Sequence, residues 1–123
     1  IIDGSPGIGC PVIASITGAD LVLVVTEPTL SGQHDLERVA QLTRHFGIKI
    51  LVSVNKWDLN EELTAQIEEQ ARASGVTVLN RVRYDQAVTH AQVNKLSVVE
   101  YSEDGAATDM RKLWAGVSSI LGD

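Results

Sequence analysis

Leu21-Val22-Leu23-Val24-Val25-Thr26 is apolar without a break, and a second apolar run, Ile48–Val54, follows after a stretch of helical period. A strand covered on one face alternates polar and apolar residues, whereas an unbroken β-branched run fits a strand buried on both faces. Between the two runs, Leu36, Val39, Ala40, Thr43 and Phe46 recur on one helical stripe that opens at Ser31 or Gly32 and stops at Gly47. Parallel strands need a long crossover, usually a helix, so strand, helix, strand in this order predicts a parallel pair.

The pattern continues on both sides. Asn60 can cap a helix carrying Leu63, Ile67 and Ala71, which ends at Gly75 before a short third strand, Val76–Leu79. Upstream, Ile1–Asp3 has the character of a strand tail, and Pro11–Ala19 that of a short helix with proline in its first turn. Downstream, residues 85–96 predict a short helix and a turn. Met110, Leu113, Trp114, Val117, Ile120 and Leu121 then form one apolar stripe, assigned to the core of a final helix. The expected fold is α/β, a parallel sheet with helices on both faces, built as a single domain over residues 1–123.

A chain of 123 residues with a net charge of -6 has no basic footprint, which argues against nucleic acid as a partner. No apolar run reaches membrane-spanning length, so no integral membrane segment is expected. A single cysteine excludes an internal disulfide framework and fits a reducing, cytoplasmic compartment. The start at Ile-Ile-Asp, without an initiator Met, predicts an excised fragment.

Four strand ends deliver polar residues. Asp3 precedes a turn with glycines at 4, 7 and 9, Thr26-Glu27-Pro28-Thr29 follows the first apolar run, and Asn55-Lys56-Trp57-Asp58 follows the second. Arg83-Tyr84-Asp85 follows the third strand. In open α/β sheets, ligands collect beyond the carboxyl ends of the strands. Asp3 reads either as a local turn cap or as a carboxylate serving a magnesium-bound phosphate. Asn55 offers an amide suited to a purine edge, and the Lys56 stem can lie along a base; the other reading is a polar loop in which Asp58 caps a helix. Cys10 reads as a small buried hydrophobe or, just before a helix, as a polarised thiol. His34, His45 and His90 lack ligand spacing, and Glu61, Glu62, Glu68 and Glu69 read as the solvated face of a helix. Gly4-Ser5-Pro6-Gly7-Ile8-Gly9 departs from the dinucleotide fingerprint G-x-G-x-x-G, and G-x-x-x-x-G-K-[ST] occurs nowhere: the chain has no Gly-Lys pair.

The residues resemble the deviant-Walker P-loop ATPases of the MinD/Mrp type, in the branch with an inserted ferredoxin domain. The resemblance runs through Ile2-Asp3-Gly4-Ser5-Pro6-Gly7-Ile8-Gly9-Cys10-Pro11-Val12, Gly18 to Thr29, Ser31-Gly32-Gln33-His34-Asp35-Leu36, Asn55 to Asn60, Val82-Arg83-Tyr84-Asp85 and Val99-Glu100-Tyr101. It implies the C-terminal part of a SIMIBI-like three-layer sandwich that lacks the phosphate loop. Asp3 would be the Walker B carboxylate, supporting Mg2+ through water, and Pro6 and Gly7 the switch that follows loss of the γ-phosphate. Asn55 would meet the adenine of ATP within the loop that holds Lys56 and Asp58, with Arg83, Tyr84 and Asp85 across the base. The family usually has Pro where Arg83 stands and Gly where Asn80 stands, and Ser5 replaces a frequent Pro.

For the parent protein the resemblance implies ATP-driven switching linked to iron–sulfur or electron-transfer chemistry. Its partners would be a second copy, here in a segment-exchanged form, the missing phosphate-loop portion and a redox protein. Cys10, seven residues after Asp3, matches the spacing of a cluster ligand in the nitrogenase iron protein; one cysteine cannot hold a 4Fe-4S cluster within a single chain. Alone, without a phosphate cradle, the chain is expected to be catalytically incompetent. Two alternatives are a GTPase of the same class, motivated by N-K-x-D, and a non-catalytic interaction module with a degenerate nucleotide fold.

Overall fold

The computed structural model describes residues 1–4 and 10–122. β1 (Leu21–Thr26) and β2 (Lys49–Val54) pair in parallel, with Leu21 opposite Lys49 and Thr26 opposite Val54. α2 (Leu30–His45) joins them. α3 (Glu61–Ala73) then leads to β3 (Thr77–Val78), which pairs in parallel with the other edge of β2. The sheet order is β1-β2-β3. α2 packs on β1 and β2, α3 on β2 and β3, and the two helices touch, so both crossovers cover one face. Consecutive parallel crossovers of one hand, stepping in one direction, place their helices in this way.

That face holds the main core. Ile50, Val52 and Val54 of β2 meet Leu36 and Ala40 of α2 and Ile67 and Ala71 of α3. Leu51 and Ser53 point the opposite way by the two-residue period of a strand, and both are fully buried, so β2 is covered on its two faces. Ser53 Oγ satisfies itself by donating to the Asn80 carbonyl at 2.7 Å.

Local chemistry sets the helix limits. α2 begins at Leu30, earlier than Ser31 or Gly32, because Thr29 is the cap and its Oγ1 accepts from the Gly32 N–H at 2.9 Å. Asn60 caps α3 as expected, its Oδ1 accepting from the Leu63 N–H at 3.0 Å. Both helices close with a six-to-one bond beyond Gly47 and Gly75, from Ile48 N–H to the Thr43 carbonyl and from Val76 N–H to the Ala71 carbonyl. α1 (Cys10–Ile16) lies within the predicted Pro11–Ala19 segment to one residue, and α4 (Ala87–Val93) is the short helix expected in 85–96.

Four expectations are corrected. Residues 1–4 are exposed and form no strand, since no neighbouring strand among the described residues offers them a ladder. β1 is not buried on both faces: it lies at the sheet edge among the described residues, and Val25 is 58% exposed. α6 (Ala106–Gly122) buries Val117 and packs Met110 on Ala91, Val98 and Ala107, yet leaves Trp114 54% exposed, so its stripe is not all core. Glu68 is buried on α3, where an arginine neutralises it, and does not belong to a solvated face. One helix was not foreseen: α5 (Val98–Tyr101), opened by a reciprocal capping box between Ser97 and Glu100. The α/β class and the parallel sheet are as expected, and among the described residues no helix is long and apolar enough to cross a membrane.

Candidate functional site

Parallel pairing brings the carboxyl ends of β1 and β2 to one edge, and the chain beyond them keeps that alignment. The Asn55 N–H donates to the Thr26 carbonyl at 2.7 Å. Asn55 also bridges Val82, whose N–H donates to the Val54 carbonyl at 3.0 Å. The loops after β2 and β3 therefore run side by side, and Asn55, Lys56 and Asp58 share a rim with Arg83 and Tyr84. Glu27, after β1, joins them through an ion pair with Lys56, Nζ to Oε1 at 3.1 Å.

Most of the rim is fastened by its own polar groups. Asp58 Oδ1 accepts from the Tyr84 N–H at 2.9 Å, stapling one loop to the other. Arg83 is held by Asp109 of α6 through three bonds: its N–H and Nε reach Oδ2 at 3.0 and 2.8 Å, and Nη2 reaches Oδ1 at 3.0 Å. Those guanidinium bonds hold the Asp109 carboxyl below its ordinary range and raise Arg83. Asp85 caps two helices at once, Oδ1 accepting from Ala87 of α4 at 2.9 Å and Oδ2 from Ala106 of α6 at 3.0 Å. The backbone bonds from Ala106 and Ala87 hold its carboxyl low. Gly105 makes the second cap possible, because a side chain at that left-handed position would collide with Asp85 Oδ2. Beside β1, a Cβ on Gly32 would stand 2.6 Å from the Glu27 carbonyl oxygen, so the helix start can press on this loop only as glycine.

Two features stand apart from this structural bonding. The Asn55 side-chain amide is half-buried and has no partner among the described residues. Lys56 adopts the left-handed conformation, φ 55 and ψ 39, where a residue with a Cβ is strained. An amide with free donors and acceptor beside a long cationic stem can read a planar heterocycle by edge and by face.

An open groove of about 910 Å3 runs alongside β3, lined by Trp57, Glu68, Arg72, Arg81 and Asp109 and also by Asp58 and Arg83 of the rim. It flanks the rim and does not include Asn55. Glu68 takes Arg81 in a forked pair, the shortest bond being 2.7 Å, and the Arg81 guanidinium lies 5.0 Å from the Trp57 ring centre. These contacts bind α3 to the loop after β3.

Asp3 is exposed and offers one carboxylate, which suits Mg2+, an ion that takes few protein ligands beside waters and phosphate. Pro6 and Gly7 lie outside the described residues. Cys10 opens α1, and its proposed ligand role lies outside what is described. A 4Fe-4S cluster needs four thiolates, and the single cysteine of this chain does not supply them. Among the described residues no three His, Cys, Asp or Glu side chains gather as a metal-ligand set. Of the predicted residues, Asn55, Lys56, Asp58, Arg83 and Tyr84 come together, with Asp85 directly behind. Glu27 lies on the rim that the strand ends predict, but its pairing with Lys56 was not foreseen, nor was Asp109 as part of this cluster, because each partner lies more than twenty residues away along the chain.

No protein-family model matches the chain. Over 60 residues it is 40% identical to the uncharacterized protein MJ0578 of Methanocaldococcus jannaschii, covering 49% of this chain and 22% of that protein. A second uncharacterized protein of the same organism, MJ0579, is 31% identical over 61 residues, 50% of this chain and 23% of its own length. The chain is thus similar, over half its length, to about a fifth of each of two longer proteins.

Proposed function

We propose that the chain is the C-terminal part of a MinD-like ATP-binding switch protein, in which it supplies the loops that recognise adenine. In this reading the three strands belong to a SIMIBI-like three-layer sandwich. The observation that carries it is the Asn55 amide, without a partner among the described residues and set beside the strained Lys56 at the carboxyl ends of parallel strands. Asn55 reads the base edge and Lys56 lies along its face. Tyr84, presented by Asp58 and by the Arg83–Asp109 pair, closes the far side. Asp85 acts behind them, fixing α4 and α6 to the loop.

Asp3, with Pro6 and Gly7, serves the Mg2+ and γ-phosphate end. Mg2+ would neutralise phosphate charge there, and the carboxylate would orient a water in its shell. Without a Gly-Lys phosphate cradle, this chain does not hydrolyse ATP by itself. The cytoplasmic location, self-association and link to electron transfer of the longer protein rest on the family resemblance.

The N-K-x-D sequence favours a second reading, a GTPase, in which both Asp58 oxygens would bind guanine. Against it, one of those oxygens already accepts from Tyr84. Competition binding of labelled ATP, with and without Mg2+, tests the choice on this chain and on a longer chain carrying a phosphate loop. The proposal expects ATP to bind the longer chain in a Mg2+-dependent manner and GTP to compete poorly. GTP displacing ATP far better than ATP itself would reverse the assignment, and no binding to either chain would end it.

A further inference from the structure

Among the described residues two lysines have positive φ, and they differ in what holds them there. Lys95 follows α4, where its N–H donates to the Gln92 carbonyl and the next N–H, from Leu96, reaches back to Ala91. That is a helix-terminating motif whose penultimate position calls for a left-handed residue. Lys56 ends no helix: it precedes the 3-10 turn Trp57–Leu59 and makes no side-chain cap bond. Its local return is a single turn bond, the Lys56 carbonyl accepting from the Leu59 N–H at 3.1 Å. Its side chain is held by Glu27, which arrives from the neighbouring strand and is itself pressed into place by the close approach of Gly32. Strain of this kind persists where the surroundings over-determine it, and it concentrates at ligand-binding positions.

We propose that Glu27 is a positioning residue for the candidate base site: its carboxylate anchors the Lys56 ammonium so that the aliphatic stem forms a fixed shelf for the nucleobase beside Asn55. The inference rests on the base-site reading above and adds to it the residue that sets the shelf. Anchoring the ammonium sideways leaves the methylenes facing the base and lowers the rotamer entropy that binding would otherwise remove. The pair links the loops after β1 and β2, so base occupancy is felt by both strands. It also makes the shelf sensitive to salt, since both side chains are open to solvent.

Adenosine, which needs no phosphate cradle, is the probe. It is titrated into the full 123-residue chain and into Glu27→Gln, Lys56→Gly, their double variant and Lys95→Gly. Affinity is read from the amide resonances of Asn55 and Tyr84, and thermal stability is measured without ligand. Glu27→Gln is expected to bind about two- to fivefold more weakly, the scale of an exposed ion pair. Lys56→Gly should lose at least as much, with the double variant no weaker than Lys56→Gly alone. Both lysine-to-glycine variants should melt at or above the wild type, because glycine relieves a positive φ, and Lys95→Gly should bind as the wild type does. Equal binding by wild type and Glu27→Gln overturns the positioning role and leaves the base site standing. So does an additive double variant, or a Lys56→Gly protein that melts lower while Lys95→Gly does not. Absence of any adenosine response in the wild type overturns the base site and this proposal together.

Discussion

β1 and β2 have the same length and much the same composition, yet they live in different environments. β2 has five of its six residues buried, including Ser53, while β1 has one, Thr26. What separates them is their place in the sheet. β2 has a strand on each side and cover on each face; β1 has a strand on one side only among the described residues. The more apolar of the two is therefore the more exposed, and sequence hydrophobicity does not rank them. The candidate site inherits the contrast. Its β2–β3 side is fastened by the carboxylates of Asp58, Asp109 and Asp85, whereas its β1 side has the backbone bond from Asn55 to Thr26 and one exposed ion pair.

The sharpest way to break that contrast is a pair of truncations. Leu51→Ala, at a fully buried site, should cost about 3–4 kcal/mol. Leu23→Ala in half-buried β1 should cost less than half as much in the same denaturant titration. Equal losses would show that β1 is as enclosed as β2. Next in size is Glu68→Ala. It strips Arg81 of its forked partner and leaves a half-buried guanidinium, a loss of about 2 kcal/mol. Glu62→Ala on the exposed face of α3 should change stability by less than about 0.5 kcal/mol.

Asp85→Ala removes one cap from each of α4 and α6, at about 1–2 kcal/mol. Hydrogen exchange should rise at the starts of both helices and not in α2. The same carboxylate gives a pH test. Asp85 and Asp109 are held below their ordinary range when folded, so the unfolded chain takes up their protons first on acidification. Their stabilisation is complete above the unfolded aspartate value of about 3.9 and falls away as pH drops below it. The Asp85→Ala, Asp109→Ala double variant should lose less stability than the wild type between about pH 5 and pH 2. The smallest effect is expected at Val25→Thr, within about 0.5 kcal/mol because the side chain is largely in solvent.

How much of this was legible follows from the range of each cause. Local causes were readable: Asn60 as a cap, the ends at Gly47 and Gly75, and the strand runs themselves. α5 was missed although Ser97 and Glu100 stand in the S-x-x-E spacing of a capping box, because its helix is only four residues and gives no periodicity. The rim residues after β2 and β3 were readable because parallel strands send their ends to one edge. The partners that fix them were not. Asp109 lies 26 residues from Arg83, and nothing in its neighbourhood marks it as more than a polar position in the first turn of a helix. Glu68 looked solvated because its neighbours are charged, and burial became visible only once Arg81 arrived from the loop after β3. Which strand is an edge is a property of sheet order, which no run of side chains states.

The central claim is that a nucleobase sits over Asn55 and Lys56, and not in the open groove along β3. Mapping amide shifts on adding adenosine tests it directly. The account predicts changes concentrated at Asn55, Lys56 and Tyr84, with Glu68 and Arg72 in the groove wall unmoved. Changes centred on Glu68 and Arg72, with Asn55 silent, would contradict it.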